Sequence, residues 1–477
     1  MDADVIVVGG GTSGAVLAAR LSEDPGRRVL LLEQGPDDST YDDSILRPER
    51  AGAVWGGTPF TVTYPMRGAG RTVDMVRGRV LGGTSAVNYL ATVRGQPGDY
   101  DAWAKLGLPG WGWDDILATF RAMETDLDHG GGELHGADGP LQVRRWRREQ
   151  FAPCHAALVD GLRETGVRWT DDVNDPGTLP AVGAFPATVD PLSGARASVS
   201  AAYLTPAVRA RANLGVRTDV TVDRLLFAGA AEAPAVRGVR TDDGREWTAG
   251  EVVVCCGAIE SPALLLRSGV GPGGAVVDLP GVGANLQDHV GPSLLYRQAE
   301  PAPLVGGPAQ TLWFGRTPGA PRIDFHVLAI PVDDVHFAIV PFLLDIAGRG
   351  SVVLGPDGGP VVTMPEADAA DRERLRWIVG ELATWEGTRA YRALGATRLL
   401  PAGELVVPDG VISYGHLGGS CAMGPDGDPG AVLDQKCRVR GVSGLRVVDA
   451  SAMPTLPAGN TYLGCVMMAE RVARLVG

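Results

Sequence analysis

Residues 4–33 constrain the fold more than any other stretch. Asp4-Val5-Ile6-Val7-Val8 is a short, continuous, β-branched apolar run, the pattern of a parallel strand buried on both faces. Gly9-Gly10-Gly11-Thr12-Ser13-Gly14 follows with Gly-x-Gly-x-x-Gly spacing, then a helix through Leu21, a break at Pro25-Gly26, and a second strand, Arg28-Val29-Leu30-Leu31-Leu32-Glu33. A bare glycine triplet says little, but strand, glycines, helix, strand and a terminal acid together define a dinucleotide-binding βαβ unit. Gly9 permits the tight turn, Gly11 lets backbone amides reach a pyrophosphate at the helix N-terminus, and Gly14 lets helix and strand pack closely. Thr12 and Ser13 belong to the same cradle, and Glu33 is placed to accept hydrogen bonds from a ribose.

The rest of the composition narrows what such a unit serves. A chain of 477 residues is too long for one compact core and implies two or three units. Its 67 glycines are about twice the usual share, which favours a cofactor-binding enzyme over a scaffold. A net charge of -13 argues against a nucleic-acid partner. The basic run Arg144-Arg145-Trp146-Arg147-Arg148 reads as a solvated segment paired with neighbouring acids, with an interaction patch as the alternative. Six irregularly spaced cysteines make neither a disulfide framework nor a zinc site, and no metal is expected. Without a basic-then-apolar leader or a run of about 18 apolar residues, the chain is expected to be cytoplasmic, reduced and not membrane-spanning. Its wealth of Ala, Gly and Arg points to a GC-rich bacterial source.

Further along, residues 36–75 carry turn formers and aromatics without clear periodicity and read as a loop or lid. Arg77-Gly78-Arg79-Val80-Leu81-Gly82-Gly83-Thr84-Ser85-Ala86-Val87-Asn88-Tyr89 is a second glycine cluster, able to bring backbone donors to a planar polar ligand. Residues 196–250 read as short strands and turns leading into a buried strand at Val252–Cys256. Residues 289–365 alternate and are aromatic-rich, as in an antiparallel sheet with one face toward a cavity. Asp371 to Tyr391 has the pattern of an amphipathic helix.

The 77–89 segment resembles the first signature of the glucose-methanol-choline (GMC) family of flavin oxidoreductases. Gly257-Ala258-Ile259-Glu260-Ser261-Pro262 and the residues to Pro272 resemble its second signature. Gly283-Ala284-Asn285-Leu286-Gln287-Asp288-His289, Ser413-Tyr414-Gly415-His416-Leu417-Gly418-Gly419-Ser420 and Pro457-Ala458-Gly459-Asn460-Thr461 carry the likeness to the C-terminus. The resemblance implies an α/β protein with a Rossmann-like FAD-binding domain of the glutathione-reductase type. A substrate domain with an antiparallel β-sheet backed by helices would accompany it. The expected division is 1–150, 196–288 and 408–477 for the FAD domain, and 151–195 and 289–407 for the substrate domain.

By the same resemblance the cofactor is FAD. Gly9, Gly11 and Gly14 match the pyrophosphate loop, Glu33 the ribose acid, and Gly82, Gly83, Thr84 and Asn88 the segment along the isoalloxazine. Val220 matches the adenine contact, Asp449 and Ala450 the ribityl-pyrophosphate strand end, and Asn460-Thr461 the flavin's pyrimidine edge. Some members bind flavin covalently through a His at the position of Val87, so FAD here is expected to be non-covalent. Tyr89 stands where many members have Gly, and the segment between Arg398 and Ile412 is shorter than usual. Tyr89, Phe325 and Leu417 are candidate pocket residues.

Alcohol oxidation removes a hydroxyl proton and a carbon-bound hydride, and a flavin accepts only the hydride. A base titrating near neutrality is needed, and His provides it most naturally. The resemblance gives that role to His416, with Asn460 donating to the substrate oxygen. His289 reads as structural and His326 as packing. The expected activity is FAD-dependent oxidation of a primary or secondary alcohol, with electrons passing to oxygen, a quinone or a redox partner. A hydroxynitrile-lyase-like enzyme and a non-catalytic flavin-binding interaction protein are the alternatives.

Overall fold

The structure, a computed structural model, describes residues 2–52, 57–68, 71–230, 233–400 and 411–476. Its first sheet is built on the predicted βαβ unit. Strands Leu214–Arg217, Val29–Leu32, Ala3–Val8, Glu246–Val254 and Leu445–Val447 lie side by side, all parallel. Val252, Val253 and Val254 are fully buried, as is Val7, because the sheet is covered on both faces. Val222–Ala228 and Ala235–Thr241 extend it as an antiparallel meander. Helix Thr12–Leu21 packs on the C-terminal helix Thr461–Ala473, where the Ser13 hydroxyl donates to the Cys465 carbonyl at 3.2 Å. Residues 450 positions apart thus meet at one end of the sheet, also through an Arg20–Glu470 ion pair.

A nine-stranded, mostly antiparallel sheet is assembled from Trp169–Thr170, Ala181–Ala184, Thr311–Gly315, Phe325–Pro331, His336–Leu343, Leu294–Arg297 and Thr397–Leu400, with Val290–Gly291 and Ile412–Ser413 at its side. Side chains alternate across it. Phe325, Val327, Ala329, Phe337 and Ile339 pack under helices Pro153–Glu164 and Ala369–Glu386, against Leu158, Leu375, Ile378 and Trp385. Leu328, Val340 and Phe342 fill the opposite face.

Three elements depart from the sequence reading. Within the expected loop at 36–75, Thr61–Gly68 pairs with Arg71–Gly78 in a regular antiparallel hairpin that joins Ser351–Leu354 and Pro360–Thr363 in a four-stranded sheet. Pro65 and Gly68 inside the strand hid its alternation. The buried strand expected at Val252–Cys256 begins earlier and ends at Val254, where the chain turns into helix Gly257–Arg267. The single helix expected over Asp371 to Tyr391 is two, Ala369–Glu386 and Arg389–Leu394, divided at Gly387 and restarted by the Thr388 side chain, which caps the Tyr391 amide. Trp55-Gly56 of the expected lid and the expected boundary at 408 lie outside the described residues.

Candidate active site

A cavity of about 1040 Å³ runs from the first glycine loop, between the sheets, to the loop carrying His416. At one end Glu33 closes the second strand with both carboxylate oxygens engaged: the Gly10 amide donates at 2.6 Å and the Gly35 amide at 2.8 Å. Burial pushes this carboxyl up, and the two amides and the Arg79 charge oppose that. The Val220 amide donates to the Glu33 carbonyl at 2.9 Å, which brings the strand after Arg217 to the same corner. Glycine is required here by contact as well as by conformation. A Cβ on Gly14 would fall 1.8 Å from the Gly9 carbonyl oxygen, and one on Gly83, whose φ is +53°, 2.6 Å from Gly11 Cα. The two glycine clusters therefore press against each other, and the Gly82 amide donates to the Gly10 carbonyl at 2.8 Å.

Gly9, Gly11, Thr12, Ser13, Glu33, Gly83, Thr84, Asn88, Val220, Asp449, Ala450, Asn460 and Thr461 all line the cavity, as do Tyr89 and Leu417. Gly14 and Gly82 stand behind its wall. The Asn88 amide oxygen accepts from the Leu90 amide at 2.9 Å and from Arg196 Nη1 at 3.0 Å. Asp449 is used by the fold: its carboxylate accepts from the Gly257 amide, the Ser261 hydroxyl and the Ser451 amide. Phe325, expected in the pocket, is a correction. One-residue alternation turns it to the helix face, where its ring meets Trp313 edge-on at 5.2 Å and Trp377 at 6.0 Å.

At the other end His416 is held from several directions. Its backbone amide donates to Asp288 Oδ1 at 2.9 Å, while Ser413 bonds the other Asp288 oxygen. Arg77 donates to the Gly415 carbonyl at 2.7 Å. The His416 ring has a partner on each side: His289 Nδ1 lies 2.9 Å from its Nδ1, and Asn460 Nδ2 3.0 Å from its Nε2. With the Asn460 amide nitrogen as donor, Nε2 holds the lone pair and the ring proton sits on Nδ1, donated to His289; this network assigns the tautomer. Burial, aided by the neighbouring His289, His326 and Arg77, pushes the His416 imidazole well below its usual range, so the ring is neutral at pH 7 and keeps a lone pair on Nε2. His289, buried, is pushed down to about 3.

Tyr414, Phe342 and Arg77 were not singled out from the sequence. Tyr414 stacks on Phe342 with centroids 4.0 Å apart at 3°, lies 3.9 Å from the His416 ring, and its hydroxyl accepts from Asn460 Nδ2 at 3.4 Å. Its place two residues before His416 was the available signal. His289, read as structural, touches His416 directly. His326 is fully buried between Phe314, Phe342 and Tyr414.

Away from the cavity, His135 bonds Glu124 and Asp172 at 2.8 Å and lies 3.0 Å from Asp126. Arg94 shares Glu124 Oε1 with His135, and Arg145 takes up the Oδ1 oxygens of Asp126 and Asp172. Glu124, Asp126 and His135 have metal-ligand composition, but both carboxylates face a protein cation. Arg145, expected in a solvated run, is 6% exposed because these carboxylates draw it inward.

This fold has known counterparts. GMC oxidoreductase family models match residues 3–291 and 356–469, and the chain belongs to that family of oxidoreductases acting on alcohols. It is 32% identical to 5-(hydroxymethyl)furfural oxidase of Methylovorus sp. (strain MP688), over 98% of both chains. It is 34% identical to an oxygen-dependent choline dehydrogenase of Paraburkholderia phymatum, over 98% of this chain and 91% of that one. The structure of pyridoxine 4-oxidase from Mesorbium loti superposes with a TM-score of 0.90 at 30% identity, covering 99% of each.

Proposed function

We propose that the protein oxidises a primary or secondary alcohol with dissociable FAD, passing the electrons to oxygen or another acceptor such as a quinone. The observation that carries this reading is the His416–Asn460 pair, Nε2 to Nδ2 at 3.0 Å, at the cavity end opposite the glycine loops. The cavity fits FAD: the glycine cradle tolerates no Cβ at Gly14, Glu33 stands at the ribose position, and the Asn460 amide oxygen is buried without a partner among the described residues. Bound FAD would supply the hydride acceptor, which no side chain can.

The protein's own residues supply the rest. The alcohol oxygen sits between His416 and Asn460; His416 takes the hydroxyl proton at Nε2, and the Asn460 amide donates to the oxygen as it becomes a carbonyl. His289 accepts from Nδ1 and so holds the base in the reactive tautomer. Asn460 is also the N-cap of helix Thr461–Ala473, whose positive dipole end faces the site and favours negative charge there. Val87 stands at the position of covalent attachment in some members and offers no nucleophile, which supports release of intact FAD on acid precipitation. Six free cysteines suit a reducing compartment such as the cytoplasm. The test is anaerobic mixing of holoenzyme with a panel of alcohols: bleaching of the flavin band supports oxidation. An unchanged spectrum with every alcohol, or cleavage of a hydroxynitrile without bleaching, refutes it.

A further inference from the structure

We infer that the substrate end of the cavity takes an uncharged alcohol whose non-reacting part is apolar, and discriminates against quaternary-ammonium and carboxylate-bearing alcohols. This rests on the oxidation reading above and names the substrate class of that same site. The wall beyond His416 is the cavity face of the nine-stranded sheet, with Leu328 and Ile330 from one strand and Val340 and Phe342 from the next, joined by Phe185 and Ala309. Among the described residues, none that these strands contribute to the wall is charged. Tyr414 links the wall to the chemistry, stacked on Phe342 on one side and against His416 on the other.

The polar groups at this end offer an incoming charge no uncommitted partner. His289, His326 and His416 are all buried and held neutral by that burial. Asp288, the carboxyl bonded to the His416 loop, is outside the cavity lining and is spent on the Ser413 hydroxyl, the His416 amide and the Arg77 charge, while burial pushes it up to about 6. Of the charged residues that line the cavity, Arg77 comes nearest this end, and its guanidinium is given to the Gly415 carbonyl and faces Asp288; Glu33 lies at the ribose corner, Asp223 and Arg224 just past Val220, and Glu260 is paired with Arg267 on the helix of the second signature. A trimethylammonium group or a carboxylate entering the sheet end would lose its hydration against aliphatic and aromatic carbon with no counter-ion on that wall in return. An apolar group would instead gain by burial there.

The experiment uses FAD-loaded wild-type enzyme. Anaerobic stopped-flow reduction is measured with benzyl alcohol, choline and glycolate, alongside difference titrations of the flavin spectrum with benzaldehyde and with tetramethylammonium. The expected result is a second-order rate constant for benzyl alcohol at least about 100-fold above those for choline and glycolate, with spectral binding of benzaldehyde alone. If no alcohol reduces the flavin but benzaldehyde binds and tetramethylammonium does not, the oxidation reading fails while the apolar site stands. Choline or glycolate reacting as well as benzyl alcohol, tetramethylammonium binding as tightly as benzaldehyde, or benzaldehyde failing to bind overturns the inference.

Discussion

His289 and His416 meet nitrogen to nitrogen, Nδ1 to Nδ1 at 2.9 Å, with both rings buried. One of the two must donate, and the Asn460 contact on the far side of His416 assigns the proton to His416 Nδ1. Replacing His289 with Ala removes that acceptor and leaves a buried N–H unsatisfied, a loss of about 1–3 kcal/mol, or about 5- to 150-fold in flavin reduction. His289→Asn or His289→Gln, which restores an acceptor, should recover part of the rate. The check is the limiting rate of anaerobic reduction, which should fall while substrate affinity changes little. An unchanged limiting rate in His289→Ala would remove it from the positioning role.

His416→Ala should keep FAD bound, since the glycine cradle is untouched, yet slow flavin reduction by about 10²–10⁴-fold, the usual contribution of a positioned base. The wild-type pH dependence follows from burial of the ring. The reactive form is the neutral imidazole, and its folded value lies well below 6.5, so the rate should be level from about pH 7 upward and decline only in acid. Stopped-flow reduction across pH reads this directly. A rate still rising between about pH 7 and 9 would mean that another group limits the reaction.

What the sequence disclosed and what it hid divide along physical lines. The βαβ unit was legible because a buried parallel strand and its glycine turn leave a local signature, and the glycine clusters stand where close backbone contacts demand them. The meeting of His416 and Asn460 was legible only through resemblance, since loop residues 44 positions apart carry no periodicity that predicts contact. Tyr414 and Phe342 meet across two elements distant in the chain, and no pattern announces such stacking. Phe325 was misplaced because alternation fixes which residues share a face but not which face looks to the cavity. The helices packed on the other side decide that.

Gly14→Ala tests the cradle separately from the chemistry. The new methyl would meet the Gly9 carbonyl oxygen at 1.8 Å, a backbone atom that cannot swing aside as a side chain would. Relief requires the helix to move from the strand, at a cost of about 1–3 kcal/mol or more, and on the proposed reading it displaces the amides that would hold the pyrophosphate. The expected outcome is weakened FAD affinity and a lowered unfolding midpoint, measured by flavin fluorescence on titration and by thermal melting. FAD affinity equal to wild type would show that this loop does not grip the cofactor.

The cluster around His135 makes a prediction about stability instead of turnover. Its three carboxylate neighbours overcome burial and raise the imidazole to about 10, while Asp126 and Asp172 are held below the usual carboxylate range by His135 and Arg145. A histidine raised in the folded state contributes stability that is complete below its unfolded value of about 6.5 and disappears as pH rises through about 10. The depressed aspartates contribute above their ordinary value of 3.8 and lose it as pH falls through their folded values. The network should therefore be strongest between about pH 4 and 6.5 and weaken toward both extremes. His135→Gln, which leaves buried carboxylates short of a cation, should cost about 3–5 kcal/mol near pH 6. Thermal melts of both proteins across pH give the check: the gap in midpoint should be largest near pH 6 and close as pH approaches 10. A gap that stays constant over that range would mean that His135 is neutral in the folded protein.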